Sequence, residues 1–394
     1  MKTPLKDSNE ATQMRVLLGE LKSRQEDMVR LLETFVRCES PSQDKAAVDR
    51  FGAVVAAEWR KRSSQVRVLK QRTVGHHLRV EIPARGKSGR RRQILVLGHL
   101  DTVYPLGAID KMRFRVREGK AFGPGTFDMK GGLIMALFAV DALRAACITP
   151  STKVVFLWTS DEEIGSHTSR QIIEREAGRS DAVLVLEPSL GPQGRLKTAR
   201  KGVGTAEIIV HGRAAHAGID PGRGVNAVHE LALQIERLIK LNNFRSGVTV
   251  QATVIAGGTA SNVVPDTARA QVDIRFTRQG DGRRVVAKLR GLRPVLRRAR
   301  IEVRGGINRP PLERSAGVQK LFAHAKSLMH AVGLPLDEAS TGGGSDGNFT
   351  AALGVPTLDG LGAIGDGAHS AHEHVVIRSL PERAALLAGL LSTL

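Results

Sequence analysis

The chain has 394 residues, room for two or three domains, and its 41% hydrophobic and 25% charged residues are those of a globular protein, which excludes disorder and collagen-like repeats. Lys and Arg number 59 against 39 Asp and Glu, a formal charge of +20, so an anionic partner is the first to weigh. Only 11 Phe, two Trp and one Tyr are present, which weakens the case for a surface that stacks single-stranded bases.

Cys38 and Cys147 are too few for a disulfide framework or a thiolate metal clip. The first residues carry no apolar signal-type run, and no stretch of 18 apolar residues occurs, so the sequence predicts a cytoplasmic protein without a membrane span. In chain order, a helical period covers 12–37, with Met28, Leu31, Leu32 and Phe35 on one face, and stops at Ser40-Pro41-Ser42. A second helix is expected over 45–62 and β-like runs at 65–72, 77–84 and 93–98, the last apolar enough to be buried on both faces. Helices at 130–147 and 166–177 alternate with buried strands at 153–159 and 182–186. That alternation predicts an α/β domain with a mostly parallel twisted sheet covered on both sides.

Between 201 and 311 the pattern changes. Strand (204–211), helix (225–241), strand (248–256), strand (267–277), helix (283–299) and strand (300–304) form the β-α-β-β-α-β order of a ferredoxin-like domain. The α/β style then resumes, with a helix at 314–332, a Gly-rich loop at 341–344, a helix from Ser345, a strand at 355–358 and a helix at 379–393. The expected organisation is one discontinuous domain, 1–200 plus 312–394, interrupted by an α+β insertion at 201–311.

Chemistry concentrates where the buried strands end. The run at 93–98 leads into His99 and Asp101, the run at 153–159 into Asp161, Glu162 and Glu163, and the run at 182–186 into Glu187. In a parallel sheet these ends share one edge, where ligands bind. Asp128 sits between the first two in a Gly-rich turn before a helix. So many carboxylates in one place repel each other unless cations compensate them, and a metal pair is the natural remedy.

The motifs GHLDTVYPLG (98–107), GPGTFDMKGG (123–132), TSDEEIGS (159–166), LEPS (186–189), HGRAAHAG (211–218), SNVVPD (261–266), TGGGSD (341–346) and GDGAHSAHEHV (365–375) resemble the M20 family of di-zinc peptidases and deacylases, most of all its glutamate-carboxypeptidase branch. The resemblance covers about residues 25–394. It implies a di-zinc catalytic domain and a ferredoxin-like lid through which two chains form a homodimer. Carried over residue by residue, His99 and Glu187 hold one zinc, Glu163 and His369 the other, and Asp128 bridges them. An all N/O site of this kind also accepts Co²⁺ or Mn²⁺. Asp101 is placed to orient His99 through its other ring N–H, and Glu162 is the general base for the water that bridges the metals. His216 reaches the partner subunit's site to stabilise the oxyanion, while Asn262, Arg275, Gly343 and Gly344 recognise a substrate carboxylate.

The implied reaction is hydrolysis of an amide bond next to a free carboxylate, by a glutamate-carboxypeptidase-like exopeptidase acting on C-terminal acidic residues of small or peptide-like substrates. An N-acyl-amino-acid deacylase of the acetylornithine-deacetylase kind shares the same centre and stays open as the alternative. A nucleic-acid or anionic-surface binder is the distant one. The basic run from Arg283 to Arg304 lies beside an apolar stripe of Val285, Leu289, Leu292 and Leu296, which favours a solvated helix face over a nucleic-acid partner.

Overall fold

The computed structural model describes residues 4–85 and 93–394. It divides into two compact units: Met1–Ala199 with Arg314–Thr341 and Ser345–Leu394, and Arg200–Glu313 with Gly342–Gly344. The first is built on a six-stranded sheet. Its spatial order is Val66–Leu69, His77–Ile82, Lys153–Thr159, Gln93–His99, Ser180–Val185 and Thr357–Leu358. The last four run parallel, and the first two form an antiparallel hairpin added to the Lys153–Thr159 edge.

Both faces of this sheet are covered, as its unbroken apolar strands require. On one face Ile94, Val96, Phe156, Trp158 and Leu184 join a large core with Trp59, Phe51 and Phe35 and the apolar helices Gly131–Ala145 and Ser379–Thr393. On the other, Leu95, Leu97, Val155, Leu157, Val183 and Val185 pack with Ile173, Ala177 and Phe349. This strict alternation of side-chain direction fixes which strand residues can emerge at the functional edge.

The second unit is a four-stranded antiparallel sheet in the order Thr249–Gly257, Thr267–Phe276, Gly202–His211, Arg300–Arg309. Numbered along the chain, these strands stand 2-3-1-4, the ferredoxin-like arrangement. Helices Ala227–Ile239 and Gln279–Arg290 cover one face through Leu231, Leu238, Val285 and Leu289.

Several boundaries differ from the sequence expectation. The first helical stretch is two helices, Pro4–Ser23 and Gln25–Arg37, broken at Arg24, whose backbone leaves the helical region. The helix expected over 166–177 begins at Arg170, after a left-handed Ser166 and a turn tied down by Asp161, whose Oδ2 accepts from the Thr168 hydroxyl and from the Thr168 and Ser169 N–H groups. The helix expected to run to residue 299 stops at Arg290, ahead of Gly291 and Pro294. Pro294 has no N–H to continue the ladder. The chain beyond it hangs instead on the fully buried Glu230, whose carboxylate accepts the Val295 and Leu296 N–H groups at 2.6–3.1 Å.

Candidate metal centre

Three adjacent parallel strands deliver the site. His99 is the last residue of the central strand, paired opposite Thr159, so the Asp161–Glu163 turn and Glu187 emerge on either side of it. Close packing sharpens the edge. A Cβ on Gly98 would press into Met129 and Trp158, and one on Gly132 would overlap the Leu186 carbonyl oxygen, so helix Gly131–Ala145 starts hard against the strand ends.

His99 is buried, and its Nδ1 lies 2.9 Å from the Asp101 carbonyl. That contact leaves Nε2 facing Asp128 Oδ1 at 3.2 Å and Glu187 Oε1 at 3.6 Å. Asp128 turns its other oxygen to His369: Nε2 of His369 lies 3.4 Å from Asp128 Oδ2 and 3.4 Å from Glu163 Oε2. One carboxylate therefore stands between two imidazoles, each flanked by a second acid. Donor atoms of His99, Asp128 and Glu163, and of His99, Glu162 and Glu187, fall within 4.8 Å of one another.

The electrostatics of the cluster are those of acids and imidazoles packed against one another. Burial disfavours charge on His99, but its bonds to Asp101 and Asp128 override this and hold its pKa well above the ordinary value. Bonding to Asp128 and Glu163 lifts His369 to about 10. Asp128 is largely shielded as well, yet the two imidazoles keep its carboxyl far below the usual range. Burial pushes Glu163 up, and its Oε1 has no hydrogen-bond partner among the described residues. An orphaned buried carboxylate oxygen, two histidines and no thiolate are the donor set that fits divalent metals of the zinc type.

Asp101 faces the other ring nitrogen of His99 with two groups. Its backbone carbonyl is the near acceptor for His99, while its carboxylate stands 3.5 Å from that nitrogen. The carboxylate mainly anchors the acid turn, accepting the Ser42 hydroxyl at 2.7 Å and the N–H groups of Glu162 and Glu163 at 3.3 and 3.2 Å. Position His369, rather than His372, meets the cluster. His372 contacts Ser370 instead.

The other five candidates belong to the second unit. His216 and Asn262 are neighbours on paired segments: the Ala217 N–H donates to the Asn262 carbonyl at 2.8 Å, and both side chains are exposed. The His216 Nδ1 accepts from the Gly218 and Ile219 N–H groups, each at 3.1 Å, which places its proton on Nε2. Arg275 is engaged by its own strand, forking onto Asp273 at 2.8–3.1 Å, with Nη1 toward the Gly342 carbonyl at 3.5 Å. Gly343 and Gly344 turn their carbonyls to the Arg200 guanidinium at 3.2 Å, and a Cβ on Gly344 would press on Arg309 and Val203.

The sequence pointed to Arg200, with Lys201, only as charge at the junction between the two domains, and gave no role to Arg309 or to Glu373; the side chains of Arg200, Arg309 and Glu373 are all buried. Glu373 accepts backbone N–H groups from the Asp128 segment, and burial pushes its carboxyl up to about 7. An acid between His372 and His374, four residues after His369, was the available signal.

A strand-edge cluster of this kind in an α/β unit interrupted by a ferredoxin-like insertion defines a metallohydrolase of the peptidase type. Residues 95–393 match peptidase family M20/M25/M40, and the chain belongs to that family. It is 30% identical over 385 residues, 96% of this chain and 92% of the relative, to carboxypeptidase G2 of Pseudomonas sp. (strain RS-16). Succinyl-diaminopimelate desuccinylase of Dechloromonas aromatica (strain RCB) is 27% identical over 318 residues, 75% of this chain and 82% of that one. Among solved structures, aminopeptidase PepT from Bacillus cereus ATCC 10987 superposes with a TM-score of 0.75 at 23% identity, covering 93% of this chain and 98% of that one. Among the described residues, no helix is long and apolar enough to cross a membrane.

Proposed function

We propose that this protein is a cytoplasmic di-zinc exopeptidase that removes C-terminal acidic residues from small or peptide-like substrates. The observation that carries the reading is the Asp128 carboxylate set between His99 and His369, with Glu187 and Glu163 on the outer sides. In this reading His99 and Glu187 hold one ion, His369 and Glu163 the other, and Asp128 is shared; Co²⁺ or Mn²⁺ can replace zinc in such a donor set. When bound, such ions lower the pKa of water and polarise a scissile carbonyl.

The remaining chemistry belongs to the side chains. Glu162 takes the proton from the attacking water and returns it to the leaving amine, a role supported by its reach to the His99–Glu187 pair and by the Asp101 carboxylate fixing its backbone. His216 offers its Nε2 proton to the developing oxyanion. Arg275, Asn262 and the N–H groups of Gly343 and Gly344 receive the substrate carboxylate, with Arg275 held in place by Asp273. The 30% identity to carboxypeptidase G2 favours release of a C-terminal acidic residue.

The proposed assembly is a homodimer through the second unit. Thr249–Gly257 is an edge strand with exposed Val254 and Ile255, and Ile239 on the neighbouring helix is exposed too. An exposed apolar edge of this kind invites pairing with another copy.

A second reading, an N-acyl-amino-acid deacylase, is favoured by the likeness to the desuccinylase. A panel of N-acyl-glutamates, N-acetyl- and N-succinyl-amino acids and dipeptides, assayed with the zinc-loaded protein, separates the two. Release of C-terminal Glu or Asp is the expected result. Hydrolysis of the N-acetyl or N-succinyl substrates with no such release would replace the first reading with the second.

A further inference from the structure

Glu373 has no role in the chemistry described above, yet it is fully buried beside it. Its Oε1 accepts the Phe127 and Asp128 N–H groups, both at 2.8 Å, and its Oε2 accepts the Gly125 N–H at 2.9 Å and the Tyr104 hydroxyl. Its backbone is tied in as well: the carbonyl accepts the Gly123 N–H at 3.2 Å, and the N–H donates to Ser370 at 3.2 Å. Tyr104 extends the link by reaching the Ser370 carbonyl at 3.0 Å. The next residues, His374–Val376, pair antiparallel with Lys120–Phe122, just ahead of the Asp128 segment.

One side chain thus fastens two loops together, the one that carries Asp128 and the one that carries His369. An aspartate has a short reach, so where its carboxylate stands is decided by its backbone. Groups that orient metal ligands from behind typically change metal affinity ~10–100-fold when removed. Three buried N–H groups left without an acceptor would drive the loop to rearrange.

We infer that Glu373 is a positioning residue of the metal centre, the brace that holds the shared ligand Asp128 in register with His369. This rests on the two-ion reading. It makes a prediction that loss of an outer ligand does not: because Asp128 serves both ions, weakening the brace weakens both together.

The test compares metal-free wild type, Glu373→Ala and Glu373→Gln by chelator competition, resolving each equivalent of Zn²⁺, with the Co²⁺ visible spectrum as a second readout. Glu373→Ala is expected to bind both equivalents ~10–100-fold more weakly. Glu373→Gln should fall between, since its one carbonyl oxygen can still accept from Phe127 and Asp128 while its amide cannot accept from Gly125. Glu230→Ala serves as a control, because it removes a buried carboxylate that likewise accepts backbone N–H groups, from Val295 and Leu296 in the second unit, and it should leave both affinities unchanged. Wild-type affinity for both equivalents in folded Glu373→Ala, or in Glu373→Gln where the alanine variant does not fold, overturns the brace alone, as does weakening confined to one equivalent. A wild-type chain that takes up fewer than two ions overturns the two-ion reading, and the brace with it.

Discussion

In the six-stranded unit, most of the candidate groups are shielded and multiply anchored: His99 by Asp101, the Glu162 and Glu163 backbone by the Asp101 carboxylate, and Asp128 between two imidazoles. In the four-stranded unit, His216 and Asn262 are exposed on turns, and Arg275 is paired within its own strand. Charge divides the same way. Residues 200–313 carry 20 Lys and Arg against nine Asp and Glu, a net +11, so over half of the chain's +20 lies in less than a third of its length. The candidate acids are gathered at one strand edge, whereas the second unit carries an excess of positive charge that can attract carboxylates. The contrast is between buried, mutually bonded groups at the strand ends and exposed groups in the second unit, and it matches the division into chemistry and recognition proposed above.

The largest effect that would sharpen this contrast comes from the strand-edge side. Glu162→Gln should retain both metals and lose ~10²–10⁴-fold in kcat, because proton transfer is removed while the ligands stay. Near-wild-type turnover with full metal content would remove Glu162 from the general-base role. His216→Ala should cost ~10²–10³-fold in kcat with metal content unchanged. Mixed with Glu162→Gln chains it should regain part of the activity in heterodimers, since each variant supplies what the other lacks. Heterodimers that form and stay inactive would place His216 in its own chain's site.

A smaller effect is protonic. In the metal-free chain His369 stays charged up to about pH 10, above the ~6.5 of an unfolded histidine. Its stabilising contribution to the apo fold is therefore complete below about pH 6.5 and lost as the pH rises through about 10. Metal uptake near pH 7.5 must expel this proton, so affinity should climb with pH. Calorimetry in buffers of different ionisation enthalpy reads the number directly, and zero protons released would contradict the electrostatics of the cluster.

Much of this was legible in the sequence because burial on both faces leaves an unambiguous apolar signature. The runs at 93–98, 153–159 and 182–186 could only be central strands, and acids at their ends could only meet at one edge. What stayed illegible depended on backbone geometry. Nothing in the order of residues told that the Asp101 carbonyl would lie nearer His99 than its carboxylate, or that Glu373 would gather three N–H groups from residues almost 250 positions earlier. The helix over 283–299 failed for a related reason. Its apolar stripe was real through Leu289, but Gly291 and Pro294 ended the ladder, and the acceptor for the following N–H groups came from Glu230, on a different helix.

That carboxylate has a consequence for the life of the protein in a cell. The bond after Arg293 is protected by Pro294, while Arg297, Arg298 and Arg300 form a dense run of trypsin-type cleavage residues beyond the end of the helix. Glu230 closes it by accepting two N–H groups, while the Arg293 carbonyl is capped by Gln234 and Arg237 at 3.2 and 2.7 Å. A chain that lost this acid would leave two part-buried N–H groups without their acceptor. Glu230→Ala should therefore be cut faster after Arg297 and Arg298 in limited trypsin digestion, so that one glutamate guards bonds far along the sequence from itself.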